Sequence, residues 1–133
     1  MKVLIVEDSF VGREYLLALL EETDATCIAV ETGEEALEIF REAHGEGDSI
    51  DLVILDIVLP GMDGLQTLEK LRALEADWDV PADRACKVIM ATALDDDTNA
   101  TRAFFQGNAA SYITKPITPD KLAAELHALG LPV

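Results

Sequence analysis

Short apolar runs rich in β-branched residues alternate along the chain with segments whose apolar residues recur every three or four positions. The runs have the length of buried strands, and the segments between them have the periodicity of helices. Five such alternations are typical of an α/β fold built from βα units around a buried parallel sheet. The predicted strands are Val3–Val6, Thr26–Val30, Leu52–Leu55, Val88–Ala91 and Ser111–Thr114.

The helical segments complete a (βα)5 pattern. In the first helix Gly12, Leu16, Leu19 and Leu20 fall at helical spacing, with Asp8 or Ser9 available as its cap. The other four are predicted between Thr32 and His44, after Gly64, over Asp96–Phe105 with an end at Gly107, and over Pro119–Leu129. The segment Glu75–Cys86 is long for a connection of this kind, which predicts an elaborated surface loop held to the body by Trp78.

Composition narrows the class of protein. With 133 residues and no visible linker or repeat, we expect one domain over residues 1–133 and no effector domain. Half of the residues are hydrophobic, yet no apolar run approaches the length of a membrane span, so we expect a soluble protein without membrane insertion. The opening MKVLIVED lacks the features of a signal peptide, which favours a cytoplasmic location.

Charge and cysteine content exclude further classes. The 26 acidic and 10 basic residues give a formal charge of -16, which opposes direct binding to nucleic acid. Cys27 and Cys86 are far apart and belong to no Cys/His cluster, so neither a zinc site nor a disulfide framework is predicted.

Five side chains capable of chemistry follow the predicted strands: Glu7, Asp8, Asp56, Thr92 and Lys115. Taken singly, the first two could open a turn and cap a helix, the threonine could be a turn residue, and the lysine could be a solvated loop residue. Because the carboxyl ends of parallel strands meet at one edge of the sheet, we expect all five to converge there. Their joint placement favours a functional site.

The composition of this group indicates its chemistry. Three carboxylates packed together repel one another unless a cation intervenes. With few protein oxygens and open positions for water and phosphate, Mg²⁺ suits such a site better than Ca²⁺, and no soft ligands for zinc are present. A hard metal ion, a lysine and an oxygen nucleophile are also the parts that phosphoryl transfer uses.

Four motifs in order carry a resemblance over essentially the whole chain. They are VLIVED with Glu7 and Asp8, VILDIVLPGMDG around Asp56, MATA with Thr92, and YITKP with Tyr112, Lys115 and Pro116. Together they resemble the response-regulator receiver domain of two-component signalling, of the single-domain, chemotaxis-like type. The resemblance implies a flavodoxin-like, doubly wound sheet with strand order 2-1-3-4-5, and a phosphoacceptor signalling protein rather than an enzyme.

The resemblance also implies a role for each site residue. Asp56 would be the phosphoacceptor and, with Asp8 and the backbone carbonyl of Val58, a direct Mg²⁺ ligand, while Glu7 would act through coordinated water. Lys115 would pair with phosphoryl oxygens. The hydroxyl of Thr92 would bond one of those oxygens after transfer, assisted by the Ala93 N–H.

The resemblance further implies a switch. Tyr112 would swing inward when Thr92 moves and so alter the face made by the fourth helix, fifth strand and fifth helix, although an ordinary half-buried strand tyrosine is the alternative. A cis Lys115–Pro116 bond is expected, and Pro60, Gly61 and Gly64 resemble the turn residues after the phosphorylation site.

Partners and lifetime follow from the same resemblance. The phosphodonor would be a sensor histidine kinase or a histidine phosphotransfer protein, and the output would pass to an unidentified protein target. The protein would be a monomer or a phosphorylation-dependent dimer. Val58 and Leu94 flank the path of water to the acyl phosphate, and both are apolar, so we expect slow self-dephosphorylation.

Other interpretations stay open at this stage. Asp95, Asp96 and Asp97 could cap the fourth helix or tune the approach of a partner. The chain could be a pseudo-receiver that docks without phosphorylation. A hydrolase with an aspartyl nucleophile would need an acid/base carboxylate where Val58 stands, and a flavin protein would need a phosphate-binding loop where Glu7 and Asp8 stand.

Overall fold

All five predicted strands are present in the computed structural model, which describes residues 1–93, 108 and 110–131. They form one parallel sheet in the order β2-β1-β3-β4-β5, which confirms the expected strand order 2-1-3-4-5 and the flavodoxin-like α/β class. The strands are β1 (Lys2–Val6), β2 (Thr26–Val30), β3 (Leu52–Asp56), β4 (Lys87–Thr92) and β5 (Ser111–Thr114).

Helices cover both faces of the sheet. The helices described are α1 (Phe10–Leu20), α2 (Gly33–Gly45), α3 (Gly64–Asp77) and a C-terminal helix (Pro119–Ala128). The first and last pack on one face and the middle two on the other, so each face has its own apolar core and the doubly wound arrangement is confirmed. Within the described part of the chain, no helix is both long and apolar enough to cross a membrane.

One predicted helix cannot be compared with the structure. The expected fourth helix, Asp96–Phe105, lies outside the described residues. So do Leu94, Asp95 and Gly107.

The strand ends extend beyond their predicted limits at the edge where the site was expected. The β-ladder continues far enough to pair Asp56 with Ala91 and Thr92 with Thr114. Asp56 and Thr92 are therefore the last residues of strands rather than loop residues, and backbone pairing with neighbouring strands holds both. At the other end of the chain the last helix stops at Ala128, because Leu129 is its cap and Gly130 takes a φ of 74°.

Capping side chains start the helices near this edge. The hydroxyl of Ser9 accepts the Gly12 N–H at 3.2 Å, so Ser9 rather than Asp8 caps α1. The carboxylate of Asp63 accepts the Gln66 N–H at 2.8 Å in a capping box that starts α3. Because Ser9 provides the cap, the exposed carboxylate of Asp8 remains available to the site.

The connection between α3 and β4 is shorter than predicted. Glu75 belongs to α3, and Ala82–Arg84 forms a 3-10 turn, so the expected surface loop Glu75–Cys86 is wrong at its start. The predicted anchoring by Trp78 is confirmed, since its ring stacks on His44 with centroids 3.9 Å apart and on Phe40 at 5.6 Å.

Candidate functional site

The structure brings the predicted side chains to one edge of the sheet. The ammonium Nζ of Lys115 lies 2.6 Å from Oδ2 of Asp56 and 3.7 Å from Oε2 of Glu7. One carboxylate oxygen from each of Glu7, Asp8 and Asp56 lies within 4.8 Å of the other two. Thr92 ends the neighbouring strand, so four strands supply the cluster.

Asp56 is held more firmly than the other acidic groups. Its side chain is buried, and Oδ1 accepts the Val58 N–H at 3.0 Å while Oδ2 accepts from Lys115. The start of α3 packs against its backbone: a Cβ on Gly64 would lie 2.1 Å from the Asp56 carbonyl oxygen. Gly64 therefore lets α3 begin directly behind the acidic residue, and the Gly64 N–H donates to the Ile57 carbonyl at 2.8 Å.

Gly61 shapes the same loop. Its φ is 70°, a left-handed conformation that glycine adopts without a steric penalty. This agrees with its expected role as a turn residue after Asp56.

Glu7 is the most perturbed carboxyl group of the site. Its residue is only 7% exposed. Burial, followed by the hydrogen bond and the charge of Asp56, raises the pKa of Glu7 to about 7, against the lowering effect of Lys115. The Glu7 side chain lies over Gly12, where a Cβ would come within 2.8 Å of its Cγ and Oε1. The surroundings of Glu7 therefore favour its protonated form more than the nearby ammonium of Lys115 disfavours it.

Lys115 reaches the carboxylates from the end of β5. The Lys115–Pro116 bond is cis, as expected, and the Lys115 N–H donates to the Thr92 carbonyl at 2.7 Å. Partial burial alone would lower the pKa of Lys115, but the hydrogen bond and charge of Asp56, with the charge of Glu7, outweigh it and raise that pKa. The lysine is thus a fixed cation whose side chain is still 41% exposed.

The remaining predicted residues surround this centre. Thr92 is buried and its hydroxyl donates to the Ala93 carbonyl at 3.0 Å. Tyr112 is half-buried against the core under α2 and α3. The side chain of Val58 is exposed next to Asp56, whereas Leu94 lies outside the described residues.

Two supporting residues were missed in the sequence. Nη1 of Arg13 donates to the carbonyls of Glu7 at 2.9 Å and Asp8 at 3.1 Å, which holds the β1–α1 loop. The hydroxyl of Tyr15 donates to the Ile117 carbonyl at 2.5 Å and ties α1 to the loop after β5. The position of Arg13 in the first helix, shortly after Glu7 and Asp8, could have indicated its contact with their loop. The Tyr15 contact joins residues 102 positions apart, so no local sequence pattern indicates it.

The donor set fits a hard divalent cation. It consists of the three carboxylates of Glu7, Asp8 and Asp56, two of them buried. Mg²⁺ prefers oxygen ligands and usually keeps several of its water molecules, so a site with few protein oxygens suits it. Asp8, Asp56 and the Val58 carbonyl are the groups that would hold the ion, with Glu7 behind them.

Comparisons with known proteins agree with this fold. The family model described as "Response regulator receiver domain" matches residues 3–127. The sensor protein GacS of Pseudomonas syringae pv. syringae is 32% identical over 92% of this chain and 12% of its own length. The phosphate regulon transcriptional regulatory protein PhoB of Pseudomonas aeruginosa is 32% identical over 96% of this chain and 50% of its own. This chain thus covers half or less of the length of each of these two relatives.

A solved structure shows the same fold. A CheY-like response regulator receiver domain protein from Methanospirillum hungatei JF-1 superposes with a TM-score of 0.76 at 26% identity, covering 96% of this chain and 91% of that one. The family match extends over most of the chain, and the strand order agrees with it. The chain therefore belongs to the response regulator receiver domain family, the signalling domains of two-component systems.

Proposed function

We propose that this receiver domain accepts a phosphoryl group on Asp56, in the presence of Mg²⁺, from a histidine kinase or a histidine phosphotransfer protein. The observation that carries the proposal is the 2.6 Å contact between Lys115 Nζ and Asp56 Oδ2 inside a cluster of three carboxylates. A buried oxygen nucleophile paired with a fixed cation, next to a site for a second cation, has the arrangement that phosphoryl transfer requires.

Each residue has a defined task in the transfer. An oxygen of Asp56 attacks phosphorus, and the bond between phosphorus and the donor breaks. The Val58 N–H keeps the Asp56 carboxylate oriented through Oδ1, and Lys115 balances the charge on the phosphoryl oxygens. Mg²⁺, when bound, supplies further charge neutralisation for the same oxygens.

Thr92 and Tyr112 change position in response to the new phosphoryl group. The Thr92 hydroxyl, which donates to the Ala93 carbonyl, exchanges that bond for one to a phosphoryl oxygen. Tyr112 is half-buried and lies on β5, two residues before Thr114, which pairs with Thr92. When Thr92 moves, Tyr112 moves inward. The face formed by β5 and the C-terminal helix changes shape and controls a partner protein.

Phosphorylation by a small donor tests the proposal. Wild-type protein incubated with acetyl phosphate and MgCl2 should gain the mass of one phosphoryl group, and Asp56→Asn should gain none. Asp83→Asn, an exposed aspartate in the 3-10 turn, is the matched control and should behave as wild type. If none of the three proteins gains mass, the chain is instead a pseudo-receiver that docks without phosphorylation, and if Asp56→Asn gains the same mass as wild type, the phosphoacceptor is another residue.

The exposed Val58 predicts a long-lived phosphoryl group. Its side chain is 69% exposed beside Asp56 and cannot orient a water molecule by hydrogen bonding. Val58→Asn should therefore shorten the phosphoryl lifetime several-fold, measured as loss of the phosphoryl mass after removal of the donor. Val58→Ile, which stays apolar, is the control. A wild-type lifetime of only seconds would contradict this prediction.

A further inference from the structure

Asp8 differs from Glu7 and Asp56 in how its carboxylate is held. Asp56 is buried, and its two oxygens accept from the Val58 N–H and from Lys115. Glu7 is also buried and lies 3.7 Å from Lys115. Asp8 is exposed, and its carboxylate makes no hydrogen bond or ion pair among the residues that the structure describes. The position of this carboxylate therefore depends on the main chain that carries it.

Arg13 holds that main chain from the first turns of α1. Its Nη1 donates to the Glu7 carbonyl at 2.9 Å and to the Asp8 carbonyl at 3.1 Å. These two carbonyls belong to the peptide groups immediately before and after the Asp8 Cα. Because peptide groups are planar, fixing both of them also fixes the direction of the bond from the Asp8 Cα to its Cβ. One guanidinium thus sets where the Asp8 side chain points.

The guanidinium of Arg13 is itself held in place. Nη2 lies 3.3 Å from Oε1 of Glu31, the residue directly after β2, and Cζ lies 5.8 Å from the centroid of the Phe10 ring. The Arg13 side chain is only 14% exposed. The arginine therefore ties the loop after β1 to the end of β2, and Glu31 balances its positive charge.

The charge and the geometry of Arg13 act on a bound cation with opposite signs. A guanidinium near three carboxylates opposes the binding of a further cation through its charge. A metal ligand that is already oriented loses less entropy on binding, and groups that orient metal ligands typically contribute about tenfold or more to affinity. The sign of the change on removing the arginine therefore separates the two effects.

We propose that Arg13 is a positioning residue for Mg²⁺. Through the two carbonyls on either side of the Asp8 Cα, it keeps the Asp8 carboxylate within reach of those of Glu7 and Asp56. It acts through the main chain and not by contact with the ion. The inference rests on the proposed function, in which Asp8 and Asp56 hold Mg²⁺.

Titration of the unphosphorylated protein with MgCl2, followed by NMR at the Asp8 and Val58 amides, measures the affinity. Arg13→Met should bind Mg²⁺ about tenfold more weakly than wild type, although the variant removes a positive charge. Arg41→Met, which removes an exposed arginine of α2, is the matched control and should bind no more weakly than wild type. Unchanged or tighter binding in folded Arg13→Met would overturn the proposal.

Arg13→Lys separates geometry from charge a second time. It keeps the positive charge but replaces the planar fork of donors with a single ammonium. Its affinity for Mg²⁺ should lie between those of wild type and Arg13→Met. If Arg13→Met does not fold, Arg13→Lys decides, and wild-type affinity in that variant would overturn the proposal.

A measurement without metal tests the positioning directly. In EDTA, the backbone order parameter of Asp8 from NMR relaxation should fall in Arg13→Met. That of Val58 should not change, because its N–H is held by Asp56. A general loss of stability would not single out Asp8. An unchanged order parameter for Asp8 would overturn the proposal.

The rate of phosphorylation by acetyl phosphate separates metal affinity from the maximal rate. In Arg13→Met the Mg²⁺ concentration for half-maximal rate should rise, and the rate at saturating MgCl2 should approach that of wild type. A maximal rate reduced as strongly as the affinity would overturn the role in positioning. If wild type binds no Mg²⁺, the proposed function and this inference fail together. If wild type binds Mg²⁺ and is phosphorylated while Arg13→Met binds equally tightly, only this inference fails.

Discussion

Glu7 shows how one buried carboxyl group links the site to stability. Its pKa of about 7 in the folded chain lies above the ordinary value of 4.5, chiefly because burial disfavours the charged form. A raised carboxyl pKa means that the folded state binds the proton more tightly than the unfolded state does. The stabilising contribution of this proton is complete below pH 4.5 and is lost as the pH rises through about 7.

Metal-free protein should therefore lose free energy of unfolding between pH 4.5 and 7, by at most on the order of 3 kcal/mol from this group. Glu7→Gln should remove this part of the slope. Urea denaturation in EDTA at several pH values measures it. Glu14→Gln, an exposed glutamate on α1, is the control and should keep the wild-type slope.

Gly12 determines how deeply Glu7 is buried. In Gly12→Ala the new Cβ would meet Cγ and Oε1 of Glu7 at 2.8 Å, and the flexible end of Glu7 has to move. We expect the carboxylate to move towards solvent, which lowers the pKa of Glu7 and flattens the pH dependence of stability. NMR titration of the Glu7 side chain measures the pKa. A Glu7 pKa that stays near 7 in this variant would contradict the expectation.

At the scale of elements, one ion pair joins the end of α3 to β4. Nη1 of Arg72 contacts Oε1 of Glu75 at 2.6 Å and donates to the Cys86 carbonyl at 2.7 Å. The other oxygen of Glu75 accepts the Cys86 N–H at 2.7 Å. Nε of Arg72 donates to the Asn108 carbonyl, so the same side chain also holds the segment before β5.

Removal of Glu75 should be strongly destabilising. Glu75→Ala removes the carboxylate that pairs with the half-buried Arg72 and accepts the Cys86 N–H, so the free energy of unfolding should fall by about 3 kcal/mol. Glu69→Ala, an exposed glutamate on the same helix, should change it by less than about 0.5 kcal/mol. Chemical denaturation measures both variants, and equal losses in the two would contradict the assigned role of the ion pair.

This network explains why the α3–β4 connection was predicted poorly while the strands were predicted well. A buried parallel strand can be predicted from its own run of apolar residues, as Leu52–Leu55 shows. The end of α3 depends instead on Glu75 meeting Arg72 and Cys86, a contact across 11 residues that no local pattern indicates. The last residues of β3 and β4 likewise depend on pairing between strands, of Asp56 with Ala91 and of Thr92 with Thr114.

At the scale of the whole molecule, topology made the site predictable. In a parallel sheet the carboxyl ends of the strands meet at one edge, so Glu7, Asp56 and Lys115 could be placed together from their positions after apolar runs. The hydrogen bond from the Tyr15 hydroxyl to the Ile117 carbonyl could not be predicted in this way, because it joins residues 102 positions apart.

The excess of acidic residues should also control stability. A formal charge of -16 makes the compact chain repel itself, and salt screens this repulsion. Raising the KCl concentration from about 20 mM to about 500 mM shortens the Debye length from tens of ångströms to a few. This change should therefore raise the Tm by several degrees. The increase from KCl should be the same in wild type and in a variant carrying both Asp8→Asn and Asp56→Asn, because screening is not specific to the site.

MgCl2 at matched ionic strength separates screening from binding. A cation that binds the folded state alone adds stability by mass action, so the Tm of wild type should rise further in MgCl2 than in KCl. The double variant lacks two of the three clustered carboxylates, so its Tm should rise equally in both salts. Differential scanning calorimetry measures each shift. An extra rise of the same size in both proteins would place Mg²⁺ elsewhere on the acidic surface and contradict the assignment to Asp8 and Asp56.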